Sequence, residues 1–199
     1  MGFTHCWRRP LRIPEGPYAA AALDCGRILG ACRDAGVALA GPVGDGEPVV
    51  TFDSVALNGV RDCGHPKDEG LGIVEPSRDA TGIAGPFDDV VVGEWFGGAV
   101  ISARKCPGTC SCDTFRVDRL FGWPTDAEPA DGLYLNGCKT AFRPYDLAVT
   151  ACLIVFNHHL GDRLFPVSSS TVPGHWADAR RLVQGTLGYG ARFRPLPDE

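Results

Sequence analysis

The sequence predicts an α+β fold, a mostly antiparallel sheet of about five to six short strands with three main helices packed on it. Three observations lead there. Apolar residues recur at helical spacing near the start and again in two stretches of the last third. Short β-branched runs bounded by Gly, Pro, Asn and Asp fill the middle. The order of helix, then strands, then two helices does not alternate as βαβ units do.

The first helix spans Pro17 to Ala35. Pro17 suits a first turn, Leu23, Ile28, Leu29 and Cys32 form the apolar stripe, and Gly36 stops it. Val49 to Phe52 and Val55 to Leu57 read as strands, joined into a hairpin by a turn at Asp53-Ser54. From Arg61 to Ala84 the chain is rich in Gly, Pro and charge, with one apolar run at Leu71 to Val74. Further strands are expected near Val90 to Val92 and Ala99 to Ala103, in "DTFRVDRL", and in "GLYLNG", with "GWPTDAEPADG" as a surface loop between the last two. "PYDLAVTACLIVFNHHLG" is a helix with Pro144 in its first turn and Gly161 at its end. It is apolar on nearly every side and is therefore central. A last helix covers about His175 to Leu187.

The chain's 199 residues fit a single domain over 1–199. A 44% hydrophobic share supports a real core, and a net charge of −5 without any basic block argues against non-specific nucleic-acid binding. No stretch has the ~20 apolar residues of a membrane span, and "MGFTHCWRRP" lacks the apolar run of a signal peptide. Gly2 opens like a myristoylation site, but Cys6 stands where that motif needs Ser or Thr. A cytoplasmic protein is expected, with no membrane partner.

"NGCKTAFRPYD", Asn136 to Asp146, concentrates polar chemistry between two buried runs. It is not a P-loop, because Cys138 stands directly before Lys139 where that motif needs Gly. A loop from Gly137 to Phe142 would still deliver the chain to a helix N-terminus, which attracts anions. Lys139 and Arg143 bracket it, and Arg143 offers a bidentate fork. Asp146 is also suited to serve that helix end from within. The alternative is a capping loop in which Arg143 pairs with Asp146 and Tyr145 is core. Cys138 is a nucleophile candidate, since cations and a helix start lower a thiol pKa. His158 and His159 lie roughly 18 Å from the start of the helix they end, so His5 is the base free to approach. A buried inert thiol is the other reading.

Nine cysteines without a secretion signal point to metal or catalysis before disulfides. Cys25, Cys32 and Cys152 read as small buried hydrophobes. "CPGTCSC" and "CGH" together offer Cys63, His65, Cys106 and Cys110 as a Cys3His zinc site, with Cys112 as a substitute ligand. The C-x-H half is atypical, because ligands one residue apart rarely both reach one metal. A Cys106–Cys110 disulfide and scattered free thiols are the alternatives.

"MGFTHCWRR", "LNGVRDCGH" and "CKTAFRPYDLAVTA" together resemble an uncharacterised family of bacterial and phage or mobile-element proteins. Its members open MGYTHYW, carry an N-G segment followed by a His-Glu-Thr-Phe stretch, and contain C-K-T-A-[KR]-K-P-Y-D. The resemblance marks His5, Trp7, Asn58, Gly59, Thr114, Phe115, Cys138, Lys139, Thr140, Pro144, Tyr145 and Asp146. It implies positions rather than an activity. The chain departs at Cys6 and with "CSCDTF" in place of the His-Glu form. It also implies that Arg61 to Ser111 is an insert, too poor in apolar residues to hold itself without metal.

Two functional readings follow. In the first, His5, Asn58, Asp113 or Thr114 and the loop to Asp146 converge on a pocket for a small anionic, nucleotide-like ligand. Lys139, Thr140 and Arg143 hold the anion, Tyr145 or Trp7 stacks, Asn58 orients, and His5, Cys138 or Asp146 supplies acid–base or nucleophilic chemistry. In the second, the protein is a zinc-stabilised interaction module with a protein partner and no catalysis.

Overall fold

The computed structural model describes residues 3–65, 69–74, 100–122, 129–169 and 173–197. It opens with a strand the sequence reading lacks. β1 (Thr4–Pro10) pairs antiparallel with β8 (Leu133–Lys139) along its whole length, from Thr4 opposite Lys139 to Pro10 opposite Leu133. On its other edge it pairs with β9 (Val167–Ser169), which in turn pairs in parallel with β10 (Leu196–Pro197). The alternation of buried His5, Trp7 and Arg9 along β1 is that of a half-buried strand. Arg8, Arg9 and Pro10 hide the pattern in the sequence. Arg9 is nevertheless buried, its guanidinium donating to the carbonyls of Asp118 and Arg119.

The second sheet is built on β4 (Ser54–Gly59). β3 (Val49–Val50) and β2 (Leu39–Ala40) pair with it, and so does β7 (Phe115–Asp118), all antiparallel. The hairpin expected around Asp53 is present, with Val49 opposite Ala56. A separate antiparallel pair joins β5 (Glu69–Val74) to β6 (Val100–Cys106), so the Leu71 to Val74 run is a strand. The strand expected at Val90 to Val92 lies outside the described residues, as do 123–128 of the expected surface loop. The α+β class with mostly antiparallel pairing holds, and among the described residues the strands form three sheets instead of one.

α1 (Glu15–Asp34) starts two residues before Pro17. Its inward stripe is Tyr18, Ala21, Ala22, Cys25, Ile28, Leu29 and Cys32, whereas Leu23 is 61% exposed. The small residues on that stripe let α1 lie close to α2 (Asp146–Leu160). α2 is buried at every position from Asp146 to Phe156, as a helix apolar all round must be, and it packs against both α1 and α3 (Ala177–Leu187). A 3-10 turn over Pro173–Trp176 precedes α3, and left-handed Gly188 ends it. Trp7 fills the space between sheet and helices, packed on Phe115 and Phe165, and Phe165 stacks on Phe156. Among the described residues no helix is long and apolar enough to cross a membrane.

Candidate functional site

The residues singled out by the sequence assemble into three linked groups. The first is an interlock. The Asn58 amide meets the backbone of Cys112 as a strand would, accepting its N–H (3.1 Å) and donating to its C=O (3.0 Å), and donates as well to the carbonyl of Pro42 (3.3 Å). Asp113 then grips the end of β8. It donates its N–H to the Lys139 carbonyl (3.1 Å), and its carboxylate accepts the Lys139 N–H (3.1 Å). The Asp113 carbonyl receives the Tyr145 hydroxyl (2.8 Å) and the Cys138 thiol (3.4 Å). Thr114 donates to the Pro42 carbonyl. Asn58, Tyr145 and Cys138 are thus buried and engaged with backbone, while Lys139 is exposed. Burial, then the Asp113 carboxylate, pushes the Cys138 thiol well above its usual range, so it stays protonated. Its neighbour Tyr145 is pushed up likewise, by burial first.

The second group is a buried charged centre under the start of α2. β8 runs through Lys139, so the connection to α2 is Thr140 to Tyr145, three residues further along than the Gly137 to Phe142 loop the sequence suggested. It turns on two successive left-handed residues, Ala141 (φ 52°) and Phe142 (φ 53°), a backbone that non-glycine residues rarely adopt. The turn brings Phe142 onto Phe3 and His175, under the Arg104 guanidinium at 5.2 Å. It also aims Asp146 inward. The Asp146 carboxylate lies 2.7 Å from His5 Nε2, accepts the Thr140 hydroxyl, and stands 3.5 Å from Arg104 Nη2. Arg104 in turn reaches Asp178 of α3 at 3.2 Å. Burial alone would raise the Asp146 pKa. The charge and hydrogen bond of His5, together with Arg104 and Thr140, outweigh it and hold the carboxyl below the ordinary carboxylate range.

Asp146 therefore pairs with His5 and Arg104, not with Arg143. Arg143 is half-buried, with its Nε enclosed and lacking a hydrogen-bond partner among the described residues. Trp7 is enclosed by aromatic neighbours.

The third group is the cysteine cluster. Sγ of Cys63, Cys106 and Cys110 and Nδ1 of His65 provide four ligand atoms within 4.8 Å of one another, and these residues could hold a metal ion. Cys63 and Cys106 sulfurs are 3.4 Å apart, Cys106 and Cys110 3.6 Å, and His65 Nδ1 lies 3.3 Å from the Cys110 sulfur. Four ligands set tetrahedrally at about 2.3 Å from zinc would be about 3.8 Å apart, so the donor set fits. A disulfide needs about 2.05 Å, and all of these thiols are free. Two glycines make the geometry. Gly64, at φ 72°, turns Cys63 and His65 toward the same point, which resolves the difficulty of the C-x-H spacing, and Gly108, at φ 97°, folds the knuckle between Cys106 and Cys110. Gly59 makes room for it, because a Cβ there would stand 1.9 Å from the Cys110 carbonyl oxygen. Cys112 lies outside the four.

The sequence reading missed Arg104, Ser169, His175 and Asp178. An arginine set in a strand two residues from a ligand cysteine was a usable signal for Arg104. The other three come close to His5 and Asp146 only through the topology. The chain matches no known family model, no curated protein and no solved structure.

Proposed function

We propose that the protein binds one zinc ion through Cys63, His65, Cys106 and Cys110, and that the ion's role is structural. The observation that carries this reading is the convergence of three sulfurs and one imidazole nitrogen at tetrahedral spacing. Three thiolates and an imidazole favour zinc over the oxygen-seeking cations. Four protein ligands leave no open position for substrate or water, which is the mark of a structural site.

The ion ties three pieces of chain together, namely the turn after β4, the end of β6 and the knuckle. β6 carries Cys106 and Arg104 two residues apart, hence on the same face of the strand, and both are buried. Fixing Cys106 thereby fixes Arg104 between Asp146 and Asp178. Zinc in this account joins these three pieces and seats a buried cation in the main body.

The test is elemental analysis with native mass spectrometry on the full chain and on Cys106→Ser, Cys110→Ser and Cys112→Ser variants. One zinc per chain, lost in the first two and retained in the third, supports the reading. A metal-free wild type, or loss in Cys112→Ser alone, defeats it.

A second reading, a site for a small anion beside the β8–α2 turn, is favoured by the enclosed Arg143 Nε with no partner. Titration with inorganic phosphate and a nucleoside monophosphate, in wild type and Arg143→Ala, tests it. Equal binding by the two proteins, or binding by neither, excludes it.

A further inference from the structure

β9, β1 and β8 lie side by side, and at one level their cross-strand partners are Ser169, His5 and Cys138. Partners of this kind project to the same face of the sheet. The first residue of α2 closes over that row. His5 Nε2 lies 2.7 Å from an Asp146 oxygen, and His5 Nδ1 lies 3.1 Å from the Ser169 hydroxyl. An ionised carboxylate only accepts, so Nε2 carries a hydrogen toward Asp146 and Nδ1 is the ring atom that faces the Ser169 hydroxyl. We propose that Ser169, His5 and Asp146 form a hydrolytic centre for small carboxylic esters, with Ser169 as nucleophile, His5 as general base and Asp146 fixing the imidazole tautomer.

Ser169 keeps the most surface of the three, 7% against 1% for His5 and for Asp146. Cys138, on the opposite side of His5, is fully buried and gives its hydrogen to the Asp113 carbonyl instead. Thr140 and Arg104 hold Asp146 from its other sides, and Trp176 packs its ring edge-on against His5 at 5.1 Å. Together these fix the positions of base and carboxylate before any substrate arrives.

The charged and titratable groups near His5 are the Asp146 carboxylate, the Arg104 guanidinium that holds it, Asp178 beyond Arg104, and the His175 ring.

In the reaction the Ser169 oxygen bonds to the ester carbonyl carbon as its proton passes to His5 Nδ1. The bond from that carbon to the leaving oxygen then breaks, and the leaving alkoxide takes the proton from Nδ1 and departs as the alcohol. Water repeats the sequence on the acyl–Ser169 ester, releasing the carboxylic acid and restoring the serine hydroxyl. No oxidant, metal or other co-reactant is needed.

The test treats the full folded chain with a fluorophosphonate reagent and with p-nitrophenyl acetate, followed by peptide mapping. The expected result is one adduct per chain on Ser169. Labelling and p-nitrophenolate release should be absent in Ser169→Ala, and labelling should slow roughly 100-fold in His5→Gln. Should His5→Gln not fold, urea-unfolded wild type takes its place, because an unfolded serine has no base beside it. No adduct on folded wild type overturns the proposal. So does an adduct elsewhere, or a Ser169 adduct that forms equally fast in the unfolded chain.

Discussion

Replacing Gly59 with alanine puts one methyl group where the zinc account allows none. The added Cβ would stand 1.9 Å from the Cys110 carbonyl oxygen, 2.5 Å from its carbon and 3.1 Å from the Tyr145 ring. Contacts below 3.0 Å do not occur for real Cβ atoms, so the Cys110 peptide must retreat by about 1 Å. The obstacle is backbone, and no side-chain rotation relieves it. Metal–ligand distances tolerate about 0.2 Å, so a shift of that size removes the Cys110 sulfur from the tetrahedron. It also strains the Cys110 N–H bond to the Val60 carbonyl, now 3.1 Å. Gly59→Ala should therefore lose at least roughly 100-fold in zinc affinity, measured by competition with a chromophoric chelator, which corresponds to about 3 kcal/mol. Its thermal midpoint should fall in zinc and change far less in chelator. Wild-type affinity in Gly59→Ala would refute the reasoning, because the knuckle would then not depend on this close approach.

Three more outcomes are expected. Arg104→Met leaves Asp146 and Asp178 buried without their shared cation and should cost about 3–5 kcal/mol in urea unfolding; a loss under about 1 kcal/mol would contradict the pairing. Because the folded Asp146 pKa lies below its unfolded value, its contribution is full above about pH 4 and is lost as the pH falls through the depressed folded value. Asp146→Asn should thus flatten the stability–pH curve below about pH 4 and lower stability at pH 7. In folded, metal-free protein at pH 8, iodoacetamide should modify Cys63 before Cys138. Hydrogen bonds from the His65 backbone and the neighbouring thiols overcome the effect of burial and hold Cys63 at about 7, while burial keeps Cys138 protonated.

Much of the fold was legible in the sequence where local pattern and tertiary role agree. α2 was readable because a long apolar run between Pro144 and Gly161 can only be a central helix. The β3–β4 hairpin announced itself by two short strand-like runs around a turn, and β7 by alternation. β1 did not, because the buried guanidinium of Arg9 is satisfied by carbonyls 109 and 110 residues away, which no local window contains. Leu23 looked like core by spacing, yet the helix turns it to solvent and uses alanines instead. The metal ligands were visible as spacings, though the reason a C-x-H pair can share one ion, the left-handed Gly64, is a backbone fact. Asn58 and Asp113 read as parts of a ligand site, and Gly59 only as a position marked by the resemblance. Asn58 and Asp113 are bound to Cys112 and to Lys139, and Gly59 clears space for Cys110, contacts that join strands far apart in sequence. Ser169 and Asp178 carry no local signature. Only the β9–β1 register and the approach of α3 through Arg104 bring them into the neighbourhood of Asp146.

The most direct test of the central claim is X-ray absorption at the zinc edge of the purified full chain. The account predicts a four-coordinate ion with three sulfurs at about 2.3 Å and one nitrogen at about 2.0 Å. A shell dominated by oxygen and nitrogen, or one with fewer than three sulfurs, would contradict it.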